Sequence, residues 1–219
     1  DTAAKQQHSS RVELLTPIVK GWITELAQEM TSLGIQVHGG MGFIEEAGAA
    51  QFYRDARILT IYEGTTGIQG LDLVGRKTLS NGGELLASLL EEIDADITEF
   101  EALDAEFSLA AQHCRMAYNN GVEARQWLLD NAQDPHAAGS ASVNFMLLFG
   151  YLCGGWLMAR SAVKAKAQLD ANAGDQAFLQ AKLVSAQFFC EHLVPRTQAH
   201  LAAIKAGSQS IMALSEDQL

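Results

Sequence analysis

Between Ala137 and Ala159 the chain runs for 23 residues without a formal charge, a stretch long enough to raise the question of a bilayer span. Gly139, Ser140, Ser142 and Asn144 break up its first third, and the apolar remainder, Phe145 to Ala159, falls short of the roughly 20 residues a span needs. Phe145, Phe149, Leu152, Trp156, Ala159 and Val163 recur at helical spacing and continue into the charged run Arg160 to Lys166. The reading is therefore a core helix over 141–168, with Gly150, Gly154 and Gly155 admitting neighbours closely. Such a helix must be buried by other elements, and the composition says which kind. Hydrophobic residues make up 48 %, prolines number only three, and β-branched residues rarely cluster, which points to partner helices and excludes a β-sandwich or barrel.

The clearest breaker cluster, Ser80-Asn81-Gly82-Gly83, follows the basic pair Arg76-Lys77 and divides the chain into 1–80 and 81–219. Upstream, Thr16 and Pro17 are read as the cap and first turn of a helix to about Val37, followed by helices over 46–56 and 66–79. Downstream the apolar stripes predict helices over 84–103, 106–131, 141–168 and 175–203, with a short one over 208–215. Residues 84–219 are expected to form an antiparallel bundle distinct from the upstream helices, with Phe107, Cys114, Phe149, Trp156, Leu183 and Phe189 in its core. Glu84 to Glu106 holds nine acidic side chains and no basic one, read as the solvated face of a packed helix. The start, Asp1-Thr2-Ala3-Ala4-Lys5, has neither Met nor a targeting pattern, and a fragment of a longer chain is expected.

Several function classes drop out. With 26 acidic against 15 basic side chains the net charge is -11 and no basic cluster exceeds a pair, so neither nucleic acid nor membrane insertion is expected. The six histidines form no HxxxH or HxH pair, and Cys114, Cys153 and Cys190 have neither disulfide nor zinc spacing. The cysteines read as small core residues in a reducing, cytoplasmic setting. Nucleophile-elbow and phosphate-loop motifs are missing.

Two stretches stand apart. Gln36-Val37-His38-Gly39-Gly40-Met41-Gly42-Phe43 places three glycines just after a helix, where backbone N–H groups meet a phosphate or simply turn the chain. In Tyr53-Arg54-Asp55-Ala56-Arg57-Ile58-Leu59-Thr60-Ile61-Tyr62-Glu63-Gly64-Thr65-Thr66-Gly67-Ile68-Gln69, Glu63 is the only formally charged residue between Arg57 and Asp72. A carboxylate in that apolar company is either a desolvated general base or a surface residue at a turn. Gly64 leaves room beside the backbone, Thr65 and Thr66 offer hydroxyls, and Arg54, Asp55 and Arg57 read as a structural ion-pair cluster.

In order and spacing these stretches resemble the acyl-CoA dehydrogenases, whose C-terminal helical domain carries QxxGGxG followed by RDAR, IYEGT and IQ. The resemblance covers about Leu14 to Leu79. The helical remainder is similar to the extension of longer bacterial members, a class that includes enzymes acting on 3-methylthiopropanoyl-CoA. The resemblance implies an all-α fold, a piece of the catalytic helical domain followed by a second antiparallel bundle. It implies FAD as cofactor, an acyl-CoA as substrate, an electron-transfer flavoprotein as acceptor, a place in fatty acid metabolism and a homo-oligomer. Glu63 would be the base, Gly64 would line the substrate, and Thr65, Thr66 and Gly67 would meet the flavin nucleotide. Gln36, Val37, His38, Gly39 and Gly40 would meet the adenosine pyrophosphate half, commonly that of a neighbouring subunit. An acyl-CoA oxidase shares these groups, and a purely structural assembly module is the alternative of a different kind.

Overall fold

Asp134 accepts a hydrogen bond from the backbone N–H of His136 at 2.9 Å, and Pro135, whose missing N–H is harmless there, starts the longest apolar helix. In the computed structural model, which describes residues 2–218, the elements in chain order are helices α1 (Thr2–His38), α2 (Gly40–Phe43), α3 (Ala49–Arg57), α4 (Thr66–Asp72), α5 (Glu84–Glu101), α6 (Ser108–Asp130), α7 (Pro135–Asp170), α8 (Gln176–His192) and α9 (Arg196–Lys205). Among the described residues there are no strands.

Helix α7 is the hub. It packs against α1, α4, α5, α6, α8 and α9, and one continuous core runs from Leu14 and Ile18 through Phe145, Phe149 and Trp156 to Ile204. Glycines set the closest approaches. A Cβ on Gly150 would enter the Trp22 ring of α1, and one on Gly70 of α4 would lie 2.8 Å from the Ser142 carbonyl of α7. By length and mean hydropathy (1.4) α7 would suit a membrane, but 67 % of its most apolar window is buried against its own neighbours. Phe107, Cys114, Phe149 and Trp156 are buried as expected, with Leu183 and Phe189 packed against them, but the bundle is not distinct from the upstream helices: its core is continuous with Leu14, Ile18, Leu73 and Val74, because α1 and α4 pack on α7. Burial pushes the Cys153 thiol up to about 12, and the hydrogen bond with Cys190 together with burial raises Cys114, so both stay protonated.

Several expected boundaries move, each for a local reason. Pro17 does not open α1 but lies inside it. The Thr16 hydroxyl, instead of capping, donates back to the Val12 carbonyl at 2.7 Å, and buried Leu14 and Ile18 hold the helix together across the proline. Helix α3 starts at Ala49 rather than 46 because Gly48 adopts a left-handed φ of 80°. The helix expected over 66–79 is α4 extended by a wider π-type turn over Leu73–Thr78 and a 3-10 turn over Leu79–Asn81. The segment 137–144 joins α7, because Asp134 and Pro135 supply a complete start six residues before the expected one. The helix expected over 175–203 divides into α8 and α9 at Pro195, which has no N–H to continue the ladder. Residues 208–215 form turns rather than a helix.

The acidic face of α5 is not simply solvated. Arg115 of α6 bridges Asp94 and Glu101, Arg160 of α7 reaches Asp96, and Arg11 of α1 meets Glu92. The Trp156 indole N–H also donates to Asp96 at 2.5 Å.

Candidate active site

The segment between α3 and α4 is held from below by α1. Arg57 closes the end of α3, its guanidinium donating to the Thr60 hydroxyl at 2.5 Å, while that hydroxyl donates to the Arg57 carbonyl at 3.2 Å. Thr65 caps α4, its hydroxyl accepting from the Ile68 N–H at 3.4 Å. Between them Glu63 takes a left-handed backbone with φ 53°, uncommon for a residue with a side chain, and Gly64 follows at φ 92°. Three bonds hold this conformation. The Lys20 ammonium donates to the Gly64 carbonyl at 2.5 Å, the Gln69 amide donates to the Glu63 carbonyl at 3.1 Å, and the Thr66 hydroxyl donates to the Glu25 carboxylate.

Among the described residues, no hydrogen-bond or ion-pair partner meets the Glu63 carboxylate, and no acceptor is paired with its backbone N–H. Both groups are therefore open to a ligand. The apolar company expected around Glu63 is present but does not bury it. Ile58, Ile61 and Tyr62 are 53 %, 48 % and 48 % exposed, and Glu63 itself is exposed, because this segment lies on the surface of the helical body. The desolvation expected of a base is not supplied by this chain. Gly64 also differs from expectation: the space its absent Cβ would fill is taken by the Gln69 amide, 2.7 Å away, rather than left beside the backbone.

The structure separates the other candidate residues into two sets. Thr65, Thr66 and Gly67 stand beside Glu63, with the Thr66 hydroxyl already committed to Glu25. Gln36, Val37, His38, Gly39 and Gly40 lie at the far end of α1, exposed, roughly 17 Å beyond Glu25 along the helix at about 1.5 Å per residue. There Gly39 turns the chain at φ 60°, and the His38 ring is held by the Gly34 carbonyl at 2.8 Å. Gly39, Gly40 and Gly67 have open space where a Cβ would stand. Arg54, Asp55 and Arg57 do not form one ion-pair cluster: Arg54 meets Glu45 in solvent, Arg57 turns to Thr60, and no pair is recorded for Asp55. Asp55 is one position from Arg54 and two from Arg57, spacings that a helix turns to different faces, while Arg54 and Arg57, three apart, carry like charges.

Lys20 and Glu25 are missed by sequence reasoning. They sit mid-helix, and no local pattern distinguishes them from ordinary surface charges; only the packing of α1 on α4 brings them to the loop. A second unread cluster joins the two halves of the chain. Arg196 of α9 forms a two-pronged pair with Glu29 of α1, at 2.6 Å for each nitrogen, and donates to the Tyr151 hydroxyl at 2.8 Å. His200 stacks on Tyr151 and shares a 3.0 Å hydrogen bond with Asn144.

The site is thus an open carboxylate on a strained turn, directly before a capped helix, presented by a helical body. The family description "Acyl-CoA dehydrogenase, C-terminal domain" matches residues 1–78, and "Acetyl-CoA dehydrogenase C-terminal like" matches residues 89–215. The chain belongs to the acyl-CoA dehydrogenase family. It is 44 % identical to 3-methylmercaptopropionyl-CoA dehydrogenase of Ruegeria pomeroyi, over 97 % of this chain and 36 % of that protein. It is 32 % identical to a broad-specificity linear acyl-CoA dehydrogenase of Mycobacterium tuberculosis, over 93 % of this chain and 35 % of that protein. The chain thus spans about a third of the length of these curated relatives. Its fold is similar to that of an acyl-CoA dehydrogenase complexed with FAD from Bacillus anthracis. That likeness has a TM-score of 0.62 at 22 % identity and covers 87 % of this chain and 32 % of the other.

Proposed function

We propose that this chain is the C-terminal part of an FAD-dependent acyl-CoA dehydrogenase, and that Glu63 is the base that takes the α proton of the acyl-CoA thioester. The observation that carries this reading is the state of Glu63: an unpaired carboxylate and an unpaired backbone N–H on one residue, held in left-handed backbone within the family's motif. An α proton beside a thioester is only weakly acidic, so its removal needs a base together with a donor for the developing enolate oxygen. Glu63 offers both, the side chain as base and its own N–H as donor. Bound FAD would supply the acceptor for the β hydrogen.

The chain's groups fit the outlying parts of that cofactor. Gly39, Gly40 and Gly67 let a phosphate chain approach the backbone unobstructed, whereas the Thr66 hydroxyl serves Glu25 instead. The separation of Gln36–Gly40 from Thr65–Gly67 suits two cofactors shared between copies of the chain. An exposed stripe along α1, Val12, Val19, Ile23, Met30, Leu33 and Val37, supports such an oligomer, since an apolar stripe of helical period calls for a partner. Exposed Ile58, Ile61 and Tyr62 call for a cover that would desolvate Glu63 when substrate is bound. The likeness to the Ruegeria pomeroyi enzyme puts a short acyl-CoA of the 3-methylmercaptopropionyl type first among substrates. An electron-transfer flavoprotein as acceptor and a cytoplasmic setting belong to the same reading. Three free thiols in the interior suit the second.

Glu63→Gln in the full-length protein tests the assignment. Flavin content is expected to stay at the wild-type level while flavin reduction by acyl-CoA slows by about 10²-fold or more, the scale of a general base. Stopped-flow bleaching at the wild-type rate would remove Glu63 from the reaction.

A further inference from the structure

We propose that Lys20 is a positioning residue for the reaction: its ammonium, reaching out of the middle of α1, holds the Gly64 carbonyl and thereby keeps Glu63 in its left-handed backbone. The inference rests on the reading of Glu63 as the base and deepens it. A non-glycine residue at φ 53° lies in a sparsely populated region and stays there only when its surroundings over-determine it. The restraints on either side of Glu63 can be enumerated. On its own carbonyl stands the Gln69 amide, which belongs to α4, the helix the loop leads into. On the next carbonyl stands Lys20 at 2.5 Å, 44 residues away in sequence and on a different helix. One turn further along α1, Glu25 accepts from Thr66. Gln69 and the Thr65 cap fix the shape of the turn relative to α4, which packs on α1 and α7. Lys20 and Glu25 add the side-chain hydrogen bonds from α1, Glu25 to the first residue of α4 and Lys20 to the loop itself.

Lys20 is the tie nearer to the base. Its partner is the carbonyl of the Gly64–Thr65 peptide, so Lys20 anchors the exit of the turn, one residue beyond the Glu63–Gly64 peptide that Gln69 holds. No carboxylate is paired with the ammonium among the described residues, which leaves the Gly64 carbonyl as its recorded partner. A hydrogen bond from a charged donor is about twice as strong as a neutral one, and the contact is partly buried, where water competes poorly. The bond also turns the Gly64 carbonyl toward α1. With the Gln69 amide on the Glu63 carbonyl, the two peptides that follow the base are both held, and the Glu63 N–H that precedes them has no acceptor among the described residues.

The proposal makes two quantities move together: loop opening and the rate of proton removal. In the full-length flavin-loaded protein, Lys20→Met keeps the apolar stem and removes the donor, Lys20→Arg restores a cationic donor, and Lys20→Gln serves as a milder variant should Met not fold. Amide hydrogen exchange in the peptide spanning residues 61–67 is expected to speed up about tenfold in Lys20→Met. Flavin reduction by acyl-CoA is expected to slow by 10- to 100-fold, the scale of a misplacement near 1 Å. Flavin content and KM should change little, and Lys20→Arg should recover most of both losses. Unchanged exchange in Lys20→Met overturns the proposal, as does a slower reaction without faster exchange, because the bond would then not be what holds the loop. Glu63→Gln run in parallel separates this failure from failure of the underlying reading. If Glu63→Gln abolishes flavin reduction while Lys20→Met leaves exchange and rate at wild type, the base stands and only the role of Lys20 falls.

Discussion

At Glu63 and Gly64 the backbone does what their side chains alone would not suggest. Two consecutive residues at φ 53° and 92° reverse the chain between α3 and α4, and only the second is a glycine. Gly64 is constrained twice, by its dihedral angle and by the Gln69 amide that fills the place of a Cβ. Gly64→Ala is therefore expected to lower stability by about 1–2 kcal/mol from backbone strain alone, with Gln69 displaced as well. Urea unfolding followed by circular dichroism measures it, and an unchanged midpoint would mean that the turn relaxes freely. The sequence made Glu63 legible because an isolated carboxylate in an apolar run, set within a specific motif, is a local signal. Its exposure was not legible, since burial depends on which faces the helical body covers.

Helices were the most readable level, and the errors at this level lie at their ends. Apolar stripes located α5, α6 and α7 closely, because a stripe of helical period has to face a partner whatever that partner is. Two of the three prolines, Pro17 and Pro195, mislead a local reading. Pro17 lies within a helix whose buried neighbours on either side outweigh one missing hydrogen bond, whereas Pro195 ends one where the chain must turn to bring Val194 against Gly155. Trp156 sums up the packing of α7: 5 % exposed, with its indole N–H on Asp96 and the Arg160 guanidinium over its ring at 5.2 Å. Trp156→Ala is expected to destabilise the chain by roughly 3–5 kcal/mol, the scale of truncating a buried aromatic ring. A thermal or urea denaturation series checks it, and a loss below about 1 kcal/mol would place that ring outside the cooperative core.

At the scale of the whole molecule, one contact zone between the two halves carries a response to acid. Arg196 hydrogen-bonds Glu29 and holds its carboxyl below the usual carboxylate range, so the stabilisation is complete above an ordinary glutamate pKa of about 4.3 and fades as pH falls through the lower folded value. His200, close by, has its pKa lowered first by burial and then by the Arg196 charge. Protonation therefore favours the unfolded chain, and stability declines as pH drops below about 6.5. Melting temperature is expected to fall from pH 7 to 5.5 and again below about pH 4.3. His200→Gln should flatten the first decline and Arg196→Met the second, and a His200→Gln profile parallel to wild type would show that this site does not couple to pH. None of this zone was visible beforehand, for Arg196 and Glu29 stand 167 residues apart and each looks like a surface charge. By itself the sequence determined the helical class, the central place of α7 and the motif around Glu63, because each is written in residues a few positions apart. The tertiary structure alone decided that one core joins both halves, that α1 supplies Lys20 and Glu25 to the loop, and that Glu63 lies open, because these follow from how distant faces pack and no local spacing encodes them.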